Sequence, residues 1–210
     1  MGGGMEIVQA LKQPLWALKR TLLHHREREG DRRFGIDTEV ATFNAAPDLE
    51  RSPYEPVHYA ALEIIDARIP LGGADVFYDL GCGKGRVLCH FARKPIRKAV
   101  GVEYDPELAE LAAENVRTLA ARRAETSVIV GDAAAQDYSD ATLIFMFNPF
   151  GADTMRRVLG RVSGRSALRI VYAGPVQAPV FAEFPALRVI DEFRVPYDLG
   201  RMSVVTWRHD

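Results

Sequence analysis

The stretch VFYDLGCGKG, residues 76–85, decides the reading of this chain: an apolar, β-type run ends in Asp79, and glycines follow at 81, 83 and 85. A strand feeding a glycine-rich turn brings main chain where a ligand can lie directly against it, because glycine carries no Cβ and accepts the dihedrals of a tight turn. The spacing narrows the choice of ligand. The dinucleotide fingerprint G-x-G-x-x-G requires glycine at position 86, where this chain has Arg86.

Working outward, GRVLCHFARK is helix-capable as far as Pro95, and the next apolar run, KAVGVEY, ends near Glu103. Asp105 suits a helix N-cap and Pro106 the first helical position, which predicts a helix from there to about residue 123. Glu103 falls roughly 20 residues beyond the first glycine, where a doubly wound fold places the acid whose two oxygens accept both ribose hydroxyls. TSVIV leads into Gly131 and Asp132, and ATLIFMF into Asn148, Pro149 and Phe150. Neither run alternates, which predicts central strands covered on both faces.

Beyond these, ADTMRRVLGRVSG reads as a helix, LRIVYAG as a fifth strand, and LRVIDEFRV and RMSVVTWR as two strands joined by PYDLG with no helix between. Such a pair closes a sheet as an antiparallel hairpin, where a dehydrogenase would continue with a helix and a parallel strand. The expected fold class is α/β: a Rossmann-like, doubly wound, mostly parallel seven-stranded sheet with a C-terminal antiparallel hairpin and an N-terminal helical extension. The expected division is 1–52 for the N-terminal helix and lid extension and 53–210 for the catalytic domain.

Glycines in the pattern G-x-G-x-G after an acidic strand end resemble motif I of the class I, seven-β-strand methyltransferases that use S-adenosylmethionine (SAM). The order PYEP, helix, YDLGCGKGRV and GVEYDPEL is similar to the group containing the ATP synthase c-subunit lysine methyltransferases, and to bacterial relatives with no assigned acceptor. The match covers about residues 53–150. It implies SAM as cofactor and S-adenosylhomocysteine as product, with Gly81, Gly83 and Gly85 under the cofactor's amino-acid end and Asp79 near its amino group. Glu103 would take the ribose, Asp132 the adenine amine, Ala133 would offer a backbone amide to the ring, and Tyr54 would lie beside the cofactor.

The triplet Asn148-Pro149-Phe150 resembles motif IV, the NPP[YF] element of amino-methylating enzymes, with one proline missing. Methyl transfer from a sulfonium is an in-line displacement, so a nucleophile's lone pair must be held on the axis of the methyl carbon. The Asn148 side-chain oxygen and the Asn148 and Pro149 carbonyls suit an amine donor, and Phe150 can wall the pocket or stack on a cationic substrate. The missing proline argues against a nucleic-acid base as acceptor. A nitrogen acceptor on a protein lysine or a small amine is therefore expected, with small-molecule O-methylation, a non-catalytic SAM-binding regulator and a NAD-type oxidoreductase as the alternatives.

Composition agrees. With 210 residues, 48% of them hydrophobic, the chain is long enough for one α/β core, and a formal net charge of -1 speaks against a broad basic surface for nucleic acid. Two cysteines, one of them Cys82 inside the glycine loop, and five histidines form no metal-ligand pattern, and a reducing cytoplasm is the expected setting. No run is long enough to span a bilayer. Residues 14–29, PLWALKRTLLHHRERE, read as a basic amphipathic helix starting at Pro14, with Leu15, Leu18 and Leu22 on one face, a brace for the domain or a peripheral membrane contact. Between that helix and the sheet, Arg32 to Thr38 are expected to form a lid over the cofactor mouth; Asp37 and His58 are the nearest candidates for a general base.

Overall fold

The computed structural model describes residues 3–39, 52–198 and 200–209, with residues 3–16 described by their backbone alone. Seven strands form one sheet: β1 (Val76–Leu80), β2 (Lys98–Glu103), β3 (Glu125–Val130), β4 (Leu143–Phe147), β5 (Arg169–Ala173), β6 (Leu187–Tyr197) and β7 (Gly200–His209). Their spatial order is β3-β2-β1-β4-β5-β7-β6. The first five run parallel, and β7 lies antiparallel to both β5 and β6, so the hairpin closes one edge as the sequence predicts.

Alternation along each strand splits the core into two layers. Phe77, Phe145 and Val171 point to one face and pack with α2 (Tyr59–Arg68), α3 (Arg86–Ala92) and the end of α4 (Pro106–Thr118). Tyr78, Leu80, Ile144, Met146 and Tyr172 point to the other, against α5 (Ala152–Val162) and the short α6 (Ala178–Phe181). β1, with β2 on one side and β4 on the other, is buried along its whole length. Asp105 caps α4 by accepting from the amides of Glu107 and Leu108, and Pro106 takes the first position, as its sequence indicates.

Three expectations are corrected. TSVIV was expected at the sheet centre, yet β3 is an edge strand, pairing with β2 alone among the described residues, and its residues are half-buried or exposed. α4 stops at Thr118, five residues short of the expected end, and the turn that follows passes through Ala121 at a positive φ of 56°. The N-terminal helix α1 spans Gly3–Phe34 and runs through Pro14 instead of starting there. Leu18 and Leu22 of its leucine face are 56% and 53% exposed, and the helix is anchored further on by the buried carboxylates of Glu27 and Asp31.

Candidate active site

At the carboxyl ends of β1, β2 and β4, where the strand order reverses, lies a cavity of about 1140 Å³. That is where an open α/β sheet collects its ligands, and the volume exceeds what one drug-sized molecule fills. The loop after β1 makes its floor. Gly81 and Cys82 donate their amides to the Val102 carbonyl, which draws the loop against the end of β2. Both Gly81 and Gly83 hold positive φ, and both are crowded: a Cβ at Gly81 would stand 2.3 Å from the Pro149 ring, and one at Gly83 2.3 Å from the Tyr54 ring. The glycines thus let two walls of the cavity close onto the loop.

Glu103 is tied into the same loop. One carboxylate oxygen accepts from the Gly83 amide at 2.7 Å and the other from the Asp105 amide at 3.0 Å. Burial raises its pKa against the pull of these amides. Asp79 is more extreme: burial pushes its carboxyl up to about 8, opposed by the Leu88 amide that donates to it at 3.0 Å and reinforced by the nearby charge of Glu103. Among the described residues no lysine or arginine pairs with Asp79. A buried carboxyl without a cation is a place that a ligand's positive group would relieve.

Asp132 follows β3 and opens a single 3-10 turn, Ala133–Ala135, accepting from the Ala134 amide at 2.8 Å. Its second oxygen pairs with Arg157 at 2.8 Å, so a ligand amine there would share that oxygen with the guanidinium. Ala133 also lines the cavity, its carbonyl taken by the Tyr138 hydroxyl at 2.6 Å.

Asn148, Pro149 and Phe150 follow β4. Asn148 sits at a positive φ of 42°, and its side-chain oxygen accepts from the Tyr172 hydroxyl at 3.1 Å. Pro149 offers its carbonyl to the Ser52 amide at 3.4 Å. Phe150, expected to face an acceptor, lines the cavity but is largely buried in the α5 layer. The carbonyl and one side-chain oxygen expected for an amine are therefore partly engaged by the protein itself.

Eleven residues were expected at this site, and ten of them line the cavity: Tyr54, Asp79, Gly81, Gly83, Glu103, Asp132, Ala133, Asn148, Pro149 and Phe150. Gly85 does not. It caps α3 from a left-handed conformation and lets α4 approach, a Cβ there lying 3.2 Å from that of Ala112. Nor does the expected lid hold: Arg32, Arg33 and Phe34 are the last turn of α1, Thr38 is fully buried, and none of residues 32–38 lines the cavity. Asp37 and His58 are also outside it. Cys82 behaves as a small buried loop residue whose thiol burial drives well above its usual range.

Sequence reasoning missed one part of the cavity wall. Glu55, Phe147, Val176, Tyr197 and Arg201 line it, with the Tyr197 ring set edge-on to Phe147 at 5.6 Å and its hydroxyl bonded to Glu55. These residues come from four separated segments, and no local motif joins them. Arg86 was visible only as the residue that spoils a dinucleotide fingerprint; it is buried and lines the cavity floor.

A family model described as a methyltransferase domain matches residues 77–164. A protein-lysine N-methyltransferase of Saccharolobus islandicus is 36% identical over 74 residues, which make up 35% of this chain and 45% of that protein. The chain thus matches less than half the length of this curated relative. Among solved structures, a TehB-like SAM-dependent methyltransferase of Corynebacterium glutamicum superposes with a TM-score of 0.51 at 21% identity, covering 72% of this chain and 88% of that one. An RNA methyltransferase of Salinibacter ruber in complex with S-adenosyl-L-homocysteine gives 0.54 at 20% identity, covering 74% and 94%. These structures show the fold. Residues 77–164 match a methyltransferase domain, and strand order, glycine loop and strand-end acids agree with the class I SAM-dependent methyltransferase fold.

Proposed function

We propose that the protein transfers the methyl group of SAM to a nitrogen acceptor, the side-chain amine of a protein lysine or a small amine. SAM supplies an electrophilic methyl on a sulfonium. The residues fit it: Asp79 has no cationic partner among the described residues and would take the cofactor's ammonium, Glu103 would accept ribose hydroxyls, and Asp132 with the Ala133 amide would meet the adenine. Gly81 and Gly83 keep Pro149 and Tyr54 close over the loop. Catalysis by this chain is positioning and exclusion of water, with no covalent enzyme intermediate.

The observation that carries the nitrogen reading is a linked group in the cavity wall, a carboxylate and two aromatic rings, Glu55, Tyr197 and Phe147, lining the same cavity as Asn148. A protonated amine is drawn to such a carboxylate and tolerated by ring faces. Near the methyl it must lose its proton, since a lysine amine holds one up to a pKa of about 10.4; Glu55 is the acid placed to receive it. Asn148, steadied by the Tyr172 hydroxyl, then offers oxygen acceptors to the remaining N–H bonds. The partial lysine methyltransferase relative supports the same acceptor class.

The test is incubation of the purified protein with methyl-labelled SAM and an extract of the cells that make it, followed by separation of protein, nucleic acid and small molecules. Label in a discrete protein band that hydrolyses to methyl-lysine, or in small amines, is the expected result. Label in phenolic or carboxylic products, in nucleic acid, or nowhere overturns the nitrogen reading, and the last outcome favours a SAM-binding regulator.

A further inference from the structure

Between α1 and the glycine loop lies a buried polar cluster that neither the cofactor reading nor the acceptor reading uses. Arg86, 2% exposed, is the first residue of α3 and directly follows the loop. Its Nε donates to the Thr38 hydroxyl at 2.6 Å, one terminal nitrogen donates to the Glu27 carboxylate and to the Val57 carbonyl, and the other lies 3.5 Å from Asp31. Thr38 in turn donates its amide to one oxygen of Asp31 at 2.7 Å and its hydroxyl to the other at 2.8 Å. The hydroxyl's one proton goes to Asp31, and its oxygen accepts from Arg86. Thr38 is thereby fixed in position and direction, and its carbonyl accepts from the Tyr54 hydroxyl at 2.6 Å.

We propose that Thr38 is a positioning residue for the cofactor: held by Asp31 and Arg86, it pins Tyr54 against Gly83, so that the N-terminal helix is wired to the cofactor loop. The inference rests on the cavity being the SAM site. Thr38 itself is fully buried and outside the cavity, whereas Tyr54 lines it, so any effect of Thr38 on the cofactor passes through Tyr54. The Tyr54 ring has two attachments, its hydroxyl to Thr38 and its Cδ2–Cε2 edge to the loop at Gly83. Cutting the first frees the ring to swing away from the second. A buried ion cluster adds little net stability compared with apolar packing, but it fixes geometry, which is what this arrangement uses it for. By linkage, a cofactor that binds best when Tyr54 is pinned also strengthens the docking of residues 27–38.

Two variants isolate the contact. Tyr54→Phe deletes only the hydroxyl and keeps the ring itself; Thr38→Val keeps the shape of the buried side chain and loses both of its hydroxyl contacts. Titration calorimetry with S-adenosylhomocysteine is expected to show each weakening affinity by about fivefold, the size of one hydrogen bond. The double variant is expected to lose no more than the worse single one, since both cut the same path, and Thr38→Ser to bind as wild type. Wild-type affinity in Tyr54→Phe, additive losses in the double variant, or a Thr38→Val defect that serine does not repair would each overturn the proposal. Because Tyr54→Phe removes no packing, it decides the matter even if Thr38→Val fails to fold. Asp79→Ala, run alongside, separates the two readings: if it loses binding while Tyr54→Phe does not, only the positioning role fails, and if wild type does not bind or Asp79→Ala binds normally, the cofactor site itself is wrong.

Discussion

Replacing Glu103 by glutamine changes the side chain by one heavy atom and removes one hydrogen-bond acceptor. The Gly83 and Asp105 amides approach different oxygens of the carboxylate, at 2.7 and 3.0 Å, and the residue is buried. Glutamine has a single oxygen, so whichever way its amide turns, an NH2 group faces a backbone N–H. One charge-assisted hydrogen bond is lost and one buried donor is stranded, at a cost of about 2–3 kcal/mol. Since 1.4 kcal/mol is a factor of ten, affinity for S-adenosylhomocysteine is expected to fall by roughly 30-fold or more if the cost appears in the complex. The same variant in urea is expected to unfold earlier, because the Gly83 contact shapes the loop before any ligand arrives. Calorimetric titration and urea denaturation measure the two effects separately. Reduced stability with unchanged affinity would make Glu103 a brace for the loop and refute its ribose role; no change in either would refute the whole account of this residue.

Gly83→Ala is expected to abolish measurable cofactor binding, and Tyr54→Ala in the same chain to recover part of the lost melting temperature by removing the ring that the new Cβ strikes; a double variant no more stable than Gly83→Ala would contradict the contact. Asp79 gives a pH signature. Its folded pKa of about 8 lies above the unfolded value, so the unfolded chain ionises first and this residue's contribution makes the unliganded protein less stable as pH rises from about 4 to about 8, a slope that Asp79→Asn should remove. For the same reason, S-adenosylhomocysteine binding at pH 7 should release close to one proton as the carboxyl ionises against the ligand's ammonium, read from calorimetry in buffers of different ionisation enthalpy; zero release would show that Asp79 does not meet that group. Asn148→Gly, which keeps the positive-φ backbone, should leave S-adenosylhomocysteine affinity within about twofold and lower kcat by a factor on the order of ten to a hundred, as expected when an aligning contact is lost. A large affinity loss instead would put Asn148 on the cofactor side.

The parts of this site that sequence made legible are those whose chemistry is local. The glycine loop with Asp79, the Asp105-Pro106 helix start and the polar residues closing each parallel strand are set by neighbours within a few positions, and the closing antiparallel hairpin follows from two strands with no helix between them. β3 escaped because an apolar run says nothing about how many partners a strand has; its position at the edge is a property of the whole sheet. Gly85 resembled its two neighbours in the motif, and only the packing of Ala112 against it shows a different use. Arg32 to Thr38 read as a polar lid because the charges of Asp31 and Arg86 meet only in the folded protein, where they hold Thr38 buried outside the cavity.

The long separation between Glu27 and Arg86 also sets an order of events during synthesis. They are 59 residues apart. At about 5–20 residues per second, roughly 3–12 s pass between the emergence of the carboxylate and that of its guanidinium. Until then, burying Glu27 and Asp31 would strand two charges away from water, so α1, made before its partner, is held back from docking. The helix locks only after β1 has been made and α3 has begun, so this segment waits on residues synthesised well after it.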